Sequence, residues 1–318
     1  MIVGVSTAIR RALALAERYA RTQLPVLLVG ATGTGKELFA EHIHERSGRP
    51  GPLVDVNCGA LPREMVESLL FGHQRGAFTG ATDSKVGHFE RSDGGTLFLD
   101  ELESLAADAQ GKLLRVLETG SVQPLGAPVK RRVDLRIVSA VQDGIGEALS
   151  SGRFRRDLFQ RVAGLVIELP PLSARPEDVV PLARYFAGLR NQTLDSDGAR
   201  ALLNYRWPGN VRELRLTIER AGQLGANGTI SAGSVVEAIA LGSVSQPVAL
   251  GSPDERTRLL RTCEDHRWNA AATAKALGIS RTTLHRRLRE LGLSLRHAKK
   301  YAFPLASEQP ETSNCVTS

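Results

Sequence analysis

Residues 30–37, Gly30-Ala31-Thr32-Gly33-Thr34-Gly35-Lys36-Glu37, set three glycines and a lysine directly after the apolar run PVLLVG (25–30). Small residues let backbone N–H groups converge on an anion, and a helix beginning behind them turns its positive end toward it. Lys36 adds a point charge suited to the β- and γ-phosphates of a nucleotide. The general phosphate-loop pattern has Ser or Thr after the lysine as a Mg2+ ligand, and here that position is Glu37. A second apolar run, GTLFLDE (95–101), ends in two carboxylates, Asp100 and Glu101. Adjacent acids at the mouth of a buried strand are costly unless they face a cation or water. Asp100 suits Mg2+ and Glu101 suits polarising an attacking water, so the two motifs together point to ATP hydrolysis by in-line phosphoryl transfer. Such transfer draws on positive charge at the γ-phosphate, and GRFRRDLFQRV (152–162) is dense in arginine.

Two further stretches carry no chemistry of their own but look outward. Gly76-Ala77-Phe78-Thr79-Gly80-Ala81 has a glycine at each end, polar flanks and one aromatic at its tip, as in a surface loop that reverses with positive φ. NAAATAKALGISRTTLHRRLRELGL (269–293) reads helix, tight turn, helix: Gly278 permits the turn, Ser280 caps, and Leu284, Leu288 and Leu291 share one face. That spacing leaves Arg281, Thr282, His285, Arg286 and Arg289 outward, a suitable front for the major groove of DNA. A plain helical hairpin would share the pattern, but charge favours DNA. Between 255 and 300 there are twelve Lys/Arg against four Asp/Glu, while the rest of the chain carries 29 against 30.

The elements that must hold these residues follow from periodicity. Short apolar runs at 25–30, 52–57, 95–101, 133–141 and 164–170 alternate with helical patterns, which predicts an α/β fold with a parallel sheet covered on both faces. From 173 the pattern reads all-helical, as a small lid; 242–254 is Gly/Ser/Pro-rich and reads as a linker. The expected organisation is therefore 1–172 α/β ATPase subdomain, 173–241 lid, 242–254 linker, 255–298 helix-turn-helix and 299–318 polar, disordered tail. No run approaches the length of a membrane span and the first residues do not form a secretion signal, so a cytoplasmic protein without membrane contact is expected. Cys58, Cys263 and Cys315 lie far apart, outside any metal-ligand spacing, and read as reduced thiols.

With these residues in order, the sequence resembles bacterial enhancer-binding proteins, the AAA+ activators of sigma-54 RNA polymerase, over roughly residues 3–293, with GAFTGA the most specific motif. The resemblance also accounts for Glu37, since that family carries Glu after the lysine. It implies an AAA+ P-loop ATPase with a lid and a Fis-type helix-turn-helix, using ATP and Mg2+. By resemblance, Asn57 of VNCGAL couples Glu101 to the γ-phosphate, Arg155 and Arg161 are arginine fingers acting on a neighbouring subunit, and Arg212 of WPGNVREL reads nucleotide in its own subunit. It implies a ring, usually a hexamer, homo- or hetero-oligomeric, whose GAFTGA loop grips sigma-54 while the helix-turn-helix holds enhancer DNA. The alternative is a DNA-bound AAA+ regulator acting without sigma-54, against which the intact GAFTGA argues. The sequence departs from the family at Ala140-Val141-Gln142, where Ala-Thr-Asn is usual, and at Gln74, where an acid is common. The chain opens directly on the ATPase segment, and regulation in trans by a partner protein is the expectation.

Overall fold

The computed structural model describes residues 2–225, 228–243, 262–263, 266, 269–277 and 284. It divides into two units, Met1–Gly242 and Ser243–Ser318. The first begins with helix α1 (Thr7–Ala20), strand β1 (Val26–Val29), helix α2 (Lys36–Ser47) and strand β2 (Leu53–Asn57). Short helices α3 (Val66–Phe71) and α4 (His88–Arg91) bracket the GAFTGA segment and lead into β3 (Thr96–Asp100). After α5 (Ala107–Thr119) come two-residue strands β4 (Ser121–Val122) and β5 (Arg131–Arg132), then β6 (Arg136–Val141), α6 (Ile145–Ser150), α7 (Arg156–Val162) and β7 (Leu165–Glu168).

The five longer strands make a parallel sheet in the order β2-β3-β6-β1-β7. The strands pack on both faces, so β1, β3 and β6 are nearly continuous in apolar residues rather than alternating. On one face Leu27, Val56, Leu97, Leu99 and Ile137 pack with Leu113 of α5 and Leu158 of α7. On the other, Val26, Leu28, Phe98, Val138 and Ile167 meet Ile9, Ala12 and Ala16 of α1 and Phe39 and Ile43 of α2. The spacing Ile9, Ala12, Ala16, Ala20 gives α1 one buried stripe, and the Ser6 side chain caps it by accepting from the Ile9 N–H.

The lid contains α8 (Val179–Gly188), β8 (Thr193–Leu194), α9 (Ser196–Leu203), α10 (Asn210–Leu224), β9 (Thr229–Ile230) and α11 (Ala232–Ser243). The all-helical expectation is therefore corrected: β8 and β9 pair in parallel, Thr193 with Thr229 and Leu194 with Ile230. Two residues per strand leave no alternation to detect in sequence; the pairing is decided by packing, with Ile230 and Leu194 joining a lid core around the buried Trp207. The hairpin of β4 and β5, antiparallel through Ser121–Arg132 and Val122–Arg131, escapes sequence reading for the same reason.

In the second unit, Ala270–Ala276 is helical, as the pattern at 269–277 predicts, and the Asn269 side chain accepts from the Ala272 N–H at its start. Cys263, Ala274 and Leu284 are buried there. Arg281, Thr282, His285, Arg286 and Arg289 lie outside the described residues, as do most of the expected linker and the tail. Cys58 is a buried free thiol. Among the described residues no helix is long and apolar enough to cross a membrane.

Candidate active site

Strand order gathers the site. β1 and β3 flank β6, so their carboxyl ends, carrying residues 30–37 and Asp100-Glu101, open on the same edge of the sheet with Val141-Gln142 between them. The Gly30 N–H donates to the Val141 carbonyl at 3.2 Å, which ties the start of the phosphate loop to the end of β6. Lys36 opens α2 and is only 9% exposed. Its ammonium donates back to the carbonyls of Gly30 at 2.7 Å and Ala31 at 3.3 Å, so the charge stands over the loop it serves. Thr34 is buried and its hydroxyl donates to the Ala31 carbonyl. Glu37 is exposed on the first turn of α2.

The lid closes one side of this loop through backbone contacts. N–H groups of Val211 and Arg212 donate to the Gly33 carbonyl at 2.9 and 3.3 Å, and Asn210 Nδ2 donates to the Thr32 carbonyl at 2.9 Å. Asn210 is buried with φ 53°, and its Oδ1 accepts from the Leu172 N–H at 2.7 Å, so one amide ties the loop, the lid and the segment between them. Contact is close enough that a β-carbon on Gly33 would stand 2.4 Å from the Gly209 carbonyl and 3.1 Å from Arg212 Cβ. Arg212 thus stands on the phosphate loop with its side chain exposed. Beside the loop lies an apolar cleft lined by Ile2, Val3, Leu38, Tyr185, Phe186 and Val211.

On the acidic side, β2 and β3 pair Asn57 with Asp100. Asp100 Oδ1 accepts from the Glu101 N–H, and Glu101 takes the left-handed conformation at φ 51°. Room for the Glu101 carboxylate comes from Gly59: a β-carbon there would lie 2.3 Å from Glu101 Oε2 and 3.3 Å from Asn57 Oδ1. Asn57 and Glu101 therefore share one glycine as their floor, while Asn57 Oδ1 accepts from the Ala60 N–H. Negative potential dominates here. Burial raises the Asp55 carboxyl pKa, and the carboxylates of Glu37, Asp100 and Glu41 add to it. The Cys58 thiol is pushed up to about 12 by burial first and then by Asp100, Glu103, Glu101 and Asp55. The backbone N–H of Gln142 donates to Glu103 Oε1 at 3.0 Å.

Arg155 and Arg161 are exposed, with partners on their own α7 and on α5 rather than on the phosphate loop. The Arg155 guanidinium grips Asp157 with Nε at 3.0 Å and Nη2 at 2.7 Å, and that bidentate hold brings the Asp157 carboxyl down to about 2. Arg161 donates to the Leu117 carbonyl at 3.0 Å.

The GAFTGA loop rises from α3 on a small pedestal. His73 bridges to Lys85 and to Leu125, and Gln74 N–H donates to the Leu125 carbonyl, so the β4–β5 loop braces its base. Gly76 and Gly80 have φ 78° and 96°, as a reversal needs, and Gly76 N–H closes the turn on the Ala81 carbonyl. Phe78 is 46% exposed, its ring edge-on to His73 at 5.1 Å. Thr79 is exposed beside it, Ala77 packs against Gly126, and Ala81 is buried at the foot.

A family model for the sigma-54 interaction domain matches residues 2–168. The chain belongs to that family. A model of the AAA+ ATPase lid domain matches 173–249, and one described as bacterial regulatory protein, Fis family, matches 254–291. Among similar proteins are the nitric oxide reductase transcription regulator NorR2 of Cupriavidus necator, 41% identical over 92% of this chain and 63% of that one, and the Nif-specific regulatory protein of Azotobacter vinelandii, 38% identical over 93% and 60%. The chain thus spans less than two thirds of the length of these relatives. Of solved structures, NtrX from Brucella abortus in complex with ATP has TM-score 0.69 at 30% identity, covering 92% of this chain and 70% of that one.

For a sigma-54 interaction domain, sequence reading missed the residues whose function is to position others. Gly59 sits within the quoted VNCGAL and Asn210 within WPGNVREL, yet neither carries chemistry of its own, and only proximity reveals what each holds.

Proposed function

We propose that this chain is an ATP-driven activator of sigma-54 RNA polymerase that acts from enhancer DNA. The observation that carries the reading is the pairing of a lid-clamped phosphate loop with an exposed, glycine-hinged GAFTGA loop in one ATPase domain. ATP occupies residues 30–37, its triphosphate over Lys36 and the start of α2, and its base enters the apolar cleft at Ile2, Val3 and Tyr185. The acidic potential around Asp100 fits a divalent cation; Asp100 would hold Mg2+, which would supply neutralisation of the phosphate charge. Glu101 takes the proton of the attacking water, and Asn57, on the same Gly59 floor, aligns that carboxylate. Arg212 senses the nucleotide from the lid. Arg155 and Arg161 serve a neighbouring subunit in a ring, homo- or hetero-hexameric, where phosphate takes the place of Asp157 on Arg155. Phe78 and Thr79 contact sigma-54, and Arg281, Thr282, His285, Arg286 and Arg289 read DNA.

In-vitro transcription from a sigma-54 promoter tests the reading. Wild type with ATP should form open complexes; Thr79→Ala should hydrolyse ATP yet fail to open the promoter. Lys36→Ala should lose ATP binding, whereas Glu101→Gln should bind ATP and hydrolyse it about 100-fold or more slowly. Promoter opening without sigma-54, or equal hydrolysis in both ATP-site variants, would overturn the assignment.

A further inference from the structure

Asp178 is fully buried and absent from the chemistry above, yet it gathers donors from a distant stretch of chain. Its Oδ1 accepts from the N–H groups of Val5 at 2.5 Å and Ser6 at 2.8 Å, and its Oδ2 accepts from the Ser6 hydroxyl at 2.7 Å. Gly4 completes the seat: a β-carbon there would stand 3.4 Å from both carboxylate oxygens and only 2.5 Å from Ile9 Cγ2. On its other side Asp178 Oδ2 lies 3.7 Å from Arg175 Nη1, and Arg175 Nη2 donates to the Thr34 carbonyl of the phosphate loop at 3.1 Å. An unbroken line therefore runs from residues 4–6 through two buried charges to the loop that precedes Lys36. The same N-terminal arm supplies Ile2 and Val3 to the cleft that Arg175, Thr34 and Gly35 also line. Arg175 is 2% exposed, and its Nε is buried without a partner; burial lowers its pKa while Asp178 works against that fall.

We propose that Arg175 and Asp178 are positioning residues that couple a purine nucleoside triphosphate in the cleft to the seating of the arm at residues 2–6. The proposal rests on the ATP-site reading above. Buried ion pairs move as a unit, because shifting one partner strands the other's charge. A nucleotide that orders the Thr34 carbonyl thereby orders Arg175, then Asp178, then the arm, which is itself a wall of the base cleft. Coupling of this kind is reciprocal: loosening the arm weakens the nucleotide by the factor with which the nucleotide tightens the arm. Whatever precedes or docks on residues 2–6 gains a direct mechanical line to the phosphate loop.

Hydrogen exchange at the Val5 and Ser6 amides of the full chain, with and without a non-hydrolysable ATP analogue, tests this alongside ATP kinetics. In the wild type the analogue should slow arm exchange about tenfold. Arg175→Lys keeps the charge but loses the fork; it should abolish that slowing and raise KM for ATP about tenfold, with kcat within about twofold. Ser6→Ala, a milder change that keeps both backbone donors, should raise KM about threefold, and it decides the matter if Arg175→Lys does not fold. A bound analogue that leaves arm exchange unchanged would overturn the coupling, as would KM unchanged in Ser6→Ala. Variants whose KM stays fixed while kcat falls with the folded fraction would overturn it too. Failure of the wild type to bind the analogue, or binding undiminished in Lys36→Ala, would instead overturn the ATP-site reading.

Discussion

The phosphate loop and the GAFTGA loop are both glycine-rich, but their glycines answer different demands. At Gly33 the left-handed φ of 80° coincides with the lid pressing in, so that an added β-carbon would overlap the Gly209 carbonyl at 2.4 Å. At Gly80 φ is 96° and nothing stands within 4 Å of where a β-carbon would be. One loop is tied to both β6 and α10; the other is held by its own turn and the brace at its base. The contrast separates a loop locked in one geometry from a surface loop held at its base.

That contrast can be broken by substitution. Gly33→Ala should do the most harm, combining backbone strain with overlap for about 3 kcal/mol of lost stability; thermal unfolding should show a lower midpoint and ATP titration a loss of binding. Gly59→Ala should be more selective. Its methyl group would displace the Glu101 carboxylate, found 2.3 Å from that position, so phosphate release should slow about 100-fold while ATP affinity stays within about threefold. Gly80→Ala should cost only local strain of about 1 kcal/mol, leaving ATP hydrolysis unchanged and reducing promoter opening. Hydrolysis falling as far in Gly80→Ala as in Gly59→Ala would erase the distinction between the two loops.

The readings that succeeded from sequence are those in which local pattern and tertiary role coincide. Strands β1, β3 and β6 are nearly continuous in apolar residues because both faces are buried, and the alternation with helices carried the parallel sheet with it. The strands β8 and β9 failed because two residues cannot display a period, and their pairing depends on the core around Trp207. Arg175 and Asp178 were illegible for another reason. A charged residue at the start of a helix reads as a solvated cap, and nothing in the neighbouring residues announces that its partners are Val5, Ser6 and Thr34.

By itself, then, the sequence determined the candidate chemistry: a glycine-rich turn with Lys36 behind a strand, two carboxylates at a strand end, and one ring on a glycine-flanked loop. Those properties belong to side-chain types and to spacings within one turn or one strand end. Only the tertiary structure decided the coupling. Strand order set Gln142 between the phosphate loop and Asp100, Gly59 became the floor beneath Glu101, and Asp178 joined residues 172 positions apart. Contacts across such separations arise from how the elements pack, and no local pattern of residues encodes them.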